Sequence, residues 1–247
     1  MMFSAQWGSA TDVGRVRQQN EDSVFTSATI FVVADGMGGH AAGEVASRLT
    51  VAGLAGLAEA DAVSVDELAT AVASANDRIL AAGLAQPEQH GMGSTLTGLA
   101  LVRMADQQHW AVFNVGDSRV YRYADGVLSQ LTVDHSAVQE LVDAGRLDPA
   151  EARFHPRRNV VTRSMGSDPA PIPDIDVYEP VVGDRYLVCS DGLTNELYDA
   201  EIAEVLALFA EPDAAATELV RLANQAGGRD NTTVVVVDTL QLQGNTQ

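Results

Sequence analysis

Short apolar, β-branched runs recur along the chain at residues 30–34, 96–102, 110–115, 118–123, 185–189 and 232–238. Their length and composition predict strands. Ala124-Asp125-Gly126 falls between two such runs and reads as a hairpin turn. Two Ala-rich stretches at 43–59 and 65–82 carry apolar residues at helical spacing. Nearer the C-terminus, Asp199 and Asp213 are expected to cap helices over 201–209 and 214–226, with Gly227-Gly228 ending the second. Strands come in neighbouring pairs and helices in two blocks, unlike the alternation of a doubly wound sheet. The pattern predicts an α+β fold in which antiparallel sheets pack together and helices cover their outer faces. The stretch 147–180 breaks the pattern. It is rich in proline and holds Arg153, Arg157, Arg158 and Arg163, so it reads as an excursion from the core, a flap over a site.

Charge narrows the chemistry. The 247 residues carry 15 Lys+Arg against 34 Asp+Glu, a formal charge of −19. Phosphate-backbone affinity needs clustered cations, so no nucleic-acid partner and no anionic membrane surface is expected. Every one of the cations is arginine, which removes Schiff-base, kinase-type and P-loop lysines. Cys189 is the single cysteine, which rules out a disulfide framework and a Cys-rich zinc site within the chain. A Cys-x5-Arg phosphate loop is also excluded, because Asn195 stands sixth after Cys189. No run approaches the ~20 apolar residues of a membrane span and no leader pattern opens the chain, so a cytoplasmic location is expected.

The candidate chemistry lies in acids at strand ends. Asp35-Gly36, Gly116-Asp117-Ser118, Ser190-Asp191-Gly192 and Asp230-Asn231 each place an aspartate beside glycine, serine or asparagine, and Glu21-Asp22 adds a fifth acidic position. Any one of these is an ordinary turn dipeptide. Their recurrence after apolar runs points to one acidic rim. Two unit charges ~4 Å apart repel by about 4 kcal/mol at an effective dielectric of 20. Hard divalent cations remove that repulsion, and oxygen-only ligands select Mg²⁺ or Mn²⁺ over zinc. Asp35 has two oxygens with which to bridge two ions, and Gly36 leaves its carbonyl unobstructed. Arg17, just upstream of Glu21-Asp22, offers a guanidinium fork for a phosphate.

Taken together and in order, these motifs resemble the metal-dependent PPM/PP2C protein phosphatases of the compact bacterial type. The resemblance rests on Gly14-x-x-Arg17-x-x-Asn20-Glu21-Asp22, Asp35-Gly36-Met37-Gly38-Gly39-His40 with Gly43-Glu44, and Gly91-Met92-Gly93-Ser94-Thr95. It continues through Gly116-Asp117-Ser118-Arg119, Asn159-Val160-Val161-Thr162-Arg163, Ser190-Asp191-Gly192-Leu193 and Asp230-Asn231. It implies a four-layer α-β-β-α sandwich, with metals in a cleft at one end and a flap at about 146–167. Residues 1–240 would be one catalytic domain and 241–247 a polar tail. Asp35, Asp191 and Asp230 are implied ligands of one metal. Asp35 and the Gly36 carbonyl would hold a second, with Glu21 or Asp22 acting through water, and Asp117 with Asp191 a weaker third. Two to three Mn²⁺ or Mg²⁺ ions are thus expected.

Arg17 is the implied phosphate clamp, with Asn231 also on the substrate side. His40 stands in for the general-acid histidine that animal members place directly after Asp-Gly, where this chain has Met37. His155 is expected to touch substrate or cap a turn, and His90, His109 and His135 to be structural or exposed. The implied reaction is one-step hydrolysis of phosphoserine or phosphothreonine by a metal-activated water, opposing a Ser/Thr kinase, with a monomer as the default. Two rival readings use the same residues: a phosphoprotein-binding module on this fold, and a metallohydrolase of small phosphoesters.

Overall fold

The computed structural model describes residues 3–38 and 42–241. Eleven strands make two antiparallel sheets. The first sheet runs in the order β1 (Phe3–Asp12), β11 (Thr232–Gln241), β10 (Arg185–Cys189), β7 (Arg119–Ala124), β8 (Val127–Gln130). The second runs β2 (Asp22–Thr26), β3 (Ile30–Met37), β5 (Leu96–Met104), β6 (Gln107–Val115), β9 (Asp174–Tyr178), with the two-residue β4 (Gly93–Ser94) against the end of β3. Helices α1 (Ala42–Ala55) and α2 (Val65–Ala85) belong to the layer over the second sheet. Helices α6 (Asp199–Leu208) and α7 (Pro212–Ala226) cover the first. Three one- or two-turn helices sit in connections: α3 (Ala137–Asp143), α4 (Pro149–Ala152) and α5 (Asp191–Thr194). The four layers are those the resemblance implies.

The period-2 geometry of strands explains why these runs are apolar throughout. Phe31 and Val33 face the other sheet while Ile30, Val32 and Ala34 face α1 and α2. Val235 and Val237 likewise point between the sheets, and Val234 and Val236 point toward α6 and α7. Both faces of each central strand are therefore buried. The seam between the sheets is filled by Phe31, Trp110 and Tyr186, whose rings follow one another at 6.1 and 6.2 Å. The Trp110 indole N–H donates to Thr239 Oγ1 at 3.1 Å, which satisfies its one polar atom.

Local signals explain most boundaries. Ser64 caps α2 by accepting from the Glu67 amide at 3.1 Å, while the Glu67 carboxylate accepts from the Ser64 amide at 2.7 Å. The β7–β8 turn has positive φ at both Asp125 and Gly126, as a primed hairpin turn requires. Two caps differ from expectation. α6 starts at Asp199 itself, with Tyr198 in the cap position and its amide bonded to Glu201 at 2.8 Å. α7 starts one residue before Asp213, because Pro212 has the fixed φ and missing N–H that suit a first helical position. Gly227 does terminate α7.

Strands β1, β2, β8 and β9 lie outside the expected runs, although Phe3, Ala5 and Trp7 in β1 and Ile175 and Val177 in β9 do alternate with polar neighbours or glycine. β1 pairs with β11 along its whole length, from Phe3 opposite Gln241 to Asp12 opposite Thr232. α7 lies so close over it that a β-carbon on Gly8 would meet the Asp213 amide nitrogen at 2.1 Å. The excursion lies between β8 and β9 and is shorter than the expected 147–180, because Asp174–Tyr178 pairs with β6 and belongs to the second sheet. It is tied down where Ser136 bridges Val161 and Ser94 bridges Met165.

Candidate metal centre

The five aspartates come from five places in the chain and meet at one end of the sandwich. Asp22 opens β2 and stands directly opposite Asp35 of β3 in the ladder. Asp117 sits in the turn from β6 to β7, Asp191 follows β10 at the start of α5, and Asp230 precedes β11. The Asp35 carboxyl lies in the fields of Asp22, Asp191, Asp117 and Asp230. Glu21 joins the group beside Asp230 and Arg17.

The motif residues around them act as scaffolding. Thr95 Oγ1 accepts from the Asp35 amide at 2.9 Å, and Ser94 Oγ donates to the Asp35 carbonyl at 3.0 Å. Thr95 and Ser118 share a hydroxyl bond of 2.8 Å, linking the Asp35 strand to the Asp117 turn. Ser190 Oγ donates to Asp22 Oδ2 at 2.8 Å and accepts from the Thr233 amide at 3.0 Å. All three serines are engaged in this way, so none presents a free nucleophile. Gly36 is required by space: a β-carbon there would meet the Gly43 carbonyl oxygen at 2.0 Å and the Glu21 carbonyl oxygen at 2.7 Å.

Burial is the first cause of the site's electrostatics and the neighbouring carboxylates the second. Asp22, although it accepts from Ser190, is pushed up to about 7 by burial. Asp35 and Asp117 are held well above the usual carboxylate range by burial and by the surrounding aspartates. Asp191 and Glu21 move the same way, again chiefly by burial. Three buried carboxylate oxygens, Glu21 Oε1, Asp22 Oδ1 and Asp191 Oδ1, have no hydrogen-bond partner. Orphaned anionic oxygens are costly in a protein interior, and an all-oxygen donor set suits a hard divalent cation. The residues therefore fit such an ion in chemistry and in unmet bonding capacity. Among the described residues no three acidic, His or Cys side chains close around one point. Asp230 is turned to Arg17 and Asp191 to Asn195, each at 2.8 Å.

Arg17 reaches Asp230 Oδ2 with Nη2 at 2.8 Å and lies 3.9 Å from Glu21 Oε2. It opens onto a cleft of about 390 Å³ that Arg153, Arg158 and Arg229 also line. Four of fifteen arginines thus gather beside the acidic rim of a strongly acidic chain. Arg153 donates to the Asn195 and Leu197 carbonyls at 2.9 and 3.1 Å and stacks 4.0 Å over the Tyr198 ring. Arg229 makes a two-pronged pair with Glu196, both contacts 2.9 Å. No sequence signal marks Glu196 or Tyr198, since their importance comes only from what folds against them.

Asn231 has a different task from the phosphate contact expected of it. Its amide donates to the Val13 and Gln19 carbonyls at 3.0 and 2.9 Å, and its oxygen accepts from the Glu21 amide at 2.8 Å. Buried and fully occupied with backbone, it pins the loop that carries Arg17 and Glu21. His155 caps a turn, its Nδ1 accepting from the Arg157 amide at 3.1 Å. His40 lies outside the described residues, as does the tail beyond Gln241.

The fold thus sets a rim of carboxylates at one end of a sandwich with a guanidinium fork beside it. The family model for protein phosphatase 2C matches residues 14–225, and the chain belongs to that family. Over 246 residues it is 42% identical to the serine/threonine protein phosphatase PstP of Mycobacterium tuberculosis, covering 98% of this chain and 46% of PstP. The chain thus spans about half the length of that relative. It is 41% identical to the protein phosphatase PhpP of Streptococcus pneumoniae, covering 92% of this chain and 94% of PhpP. Among solved structures, the PstP catalytic domain in complex with two manganese ions superposes with a TM-score of 0.89 at 39% identity. That match covers 97% of this chain and all of the other. The family is metal-dependent.

Proposed function

We propose that this chain is a metal-dependent protein serine/threonine phosphatase that hydrolyses phosphoserine and phosphothreonine in one step. The observation that carries this reading is the convergence of five aspartates, with orphaned buried oxygens, beside an arginine fork. Asp35, Asp191 and Asp230 would hold one Mn²⁺ or Mg²⁺, and Asp35 with the Gly36 carbonyl a second. Glu21 and Asp22 act at the periphery of that pair, and Asp117 with Asp191 supplies a third, weaker position. When bound, such ions neutralise phosphate charge and lower the pKa of a coordinated water that attacks phosphorus.

The chain's own residues do the rest. Arg17 swings its fork from Asp230 to two phosphoryl oxygens and orients the monoester. Asn231 keeps that arginine's loop in place. The excursion at about 146–167 borders the cleft and faces the substrate protein. Residues 1–240 act as one catalytic unit, and His40 is the histidine in sequence reach to protonate the leaving seryl or threonyl oxygen. The physiological role proposed with it is that of a phosphatase opposing a Ser/Thr kinase in the cytoplasm, working as a monomer.

The test is hydrolysis of a phosphothreonine peptide by EDTA-stripped chain with Mn²⁺, Mg²⁺, Zn²⁺ or nothing restored, beside Asp35→Asn. Recovery with Mn²⁺ or Mg²⁺ that the variant lacks supports the reading. Folded protein that binds Mn²⁺ yet hydrolyses no phosphopeptide would favour the phosphoprotein-binding module. Faster turnover of nucleotides or sugar phosphates would favour the small-phosphoester reading.

A further inference from the structure

His135 is buried and is tied both to the Asp117 turn and to β9. Its backbone amide donates to the Gly116 carbonyl at 2.8 Å, and its Nδ1 accepts from the Gly116 amide at 3.0 Å. A backbone N–H only donates, so the ring proton belongs on Nε2, 3.0 Å from Asp174 Oδ2. Asp174 in turn accepts from Arg163 Nη1 at 2.6 Å through its other oxygen, and the same nitrogen donates to the Ile172 carbonyl at 3.1 Å. The His135 carbonyl accepts from the Thr162 amide at 2.8 Å.

One imidazole therefore joins two places far apart in sequence. On one side is Gly116, held at φ +112, whose peptide forms the turn that presents Asp117. On the other is the root of the excursion at Thr162 and Arg163, fastened to β9 through Asp174. We propose that His135 is a positioning residue that sets the Asp117 turn and the flap root against each other. The inference rests on the phosphatase reading for the roles of Asp117 and the flap, and its geometry is independent of that reading.

The two arms are separable by side-chain length. In His135→Asn the amide oxygen takes the place of Nδ1 and keeps the Gly116 arm, while the reach to Asp174 is lost. In His135→Gln the amide nitrogen takes the place of Nε2 and keeps the Asp174 arm, while Gly116 is released. Trypsin reads the flap, because the chain has no lysine and the segment holds Arg153, Arg157 and Arg158. Calorimetry with Mn²⁺ reads the Asp117 turn, as the class of sites that Asp117→Asn removes.

The expected result is a crossover. His135→Asn raises flap cleavage about fivefold and leaves Mn²⁺ binding unchanged. His135→Gln weakens that Mn²⁺ class about tenfold and leaves cleavage unchanged. Asp174→Ala, at a half-exposed position, releases Arg163 as well and is cleaved at least as fast as His135→Asn, and the double variant is cleaved no faster than Asp174→Ala. Two results overturn the inference: folded variants that change neither readout, or variants that change both readouts together. Phosphopeptide hydrolysis by the unsubstituted chain is measured alongside, so that failure of the phosphatase reading shows as lost turnover, separate from the cleavage pattern.

Discussion

Asp22 and Asp35 stand directly opposite each other across the β2–β3 ladder, their side chains on the same end of the sandwich. Antiparallel pairing normally avoids like charges at opposed positions because they repel. Here the pair is buried, and Asp191 and Asp230 crowd it further. The fold holds the repulsion in place, and that arrangement has measurable consequences.

The first concerns pH. The Asp22 carboxyl is raised from its ordinary value to about 7, and Asp35, Asp117 and Asp191 move the same way. Well below about pH 4 these groups are protonated in both folded and unfolded chains. As pH rises, the unfolded chain ionises first, so the folded state loses relative stability until its own groups ionise. A tenfold difference in a carboxylate's proton affinity between the two states is worth roughly 1.4 kcal/mol. EDTA-treated protein should therefore melt at a higher temperature near about pH 5 than near about pH 7.5. Saturating Mn²⁺ should reverse the trend, because it binds the ionised carboxylates. Melting curves across that range, with and without metal, check both signs.

The second concerns the ligands themselves. Asp35→Asn and Asp191→Asn should each reduce turnover by at least about a hundredfold. In EDTA both should melt higher than the parent, since each removes one member of a repelling group, a gain of about 1–2 kcal/mol. Near-normal activity in either variant would show that the metal assignment is wrong.

Arg17 makes its strongest contact with Asp230, and its guanidinium is the fork nearest the acidic rim. Arg17→Ala should raise KM for a phosphothreonine peptide about tenfold and change kcat less, as expected when a ground-state phosphate contact is lost. Steady-state kinetics at saturating Mn²⁺ separate the two. A fall confined to kcat would place the arginine's contribution in the transition state.

Asn231 makes three backbone bonds while buried, so its loss leaves two carbonyls and one amide without partners. Asn231→Ala should cost about 2–3 kcal/mol in urea unfolding. The loop it pins carries Arg17, so KM should rise as well, with Mn²⁺ affinity less affected. A direct phosphate ligand would show the opposite balance: lost substrate binding with unchanged stability.

Gly36→Ala should be among the most damaging small substitutions, costing several kcal/mol or displacing α1, because the new methyl overlaps the Gly43 carbonyl. Gly126→Ala, with open space around its β-carbon position and only a strained φ of +80, should cost about 1 kcal/mol. Thermal melts of the two separate a packing constraint from a backbone one.

Much of this protein is written in one dimension. The doubly buried strands are continuous apolar runs because each face meets a layer, and composition alone exposes that for 30–34, 185–189 and 232–238. The hairpin at Asp125-Gly126 and the Ser64 cap are local chemistry, which needs nothing distant to act. The acidic motifs are legible because an aspartate after a strand, repeated, is chemistry without a structural need.

What the sequence leaves open depends on distant partners. β1 alternates apolar and polar residues only from Phe3 to Gly8, and it runs on to Asp12 because β11 offers a ladder of ten residues. Asn231 reads as a ligand because it adjoins Asp230, and only the folded loop shows three backbone groups claiming its amide. His135 carries no motif signal separable from its neighbours. Its position between Gly116 and Asp174 exists only once β6, β9 and the flap root are packed together. Local propensity and burial pattern are properties of short stretches of chain. Which polar atoms meet is decided by long-range pairing, and only the tertiary structure fixes that.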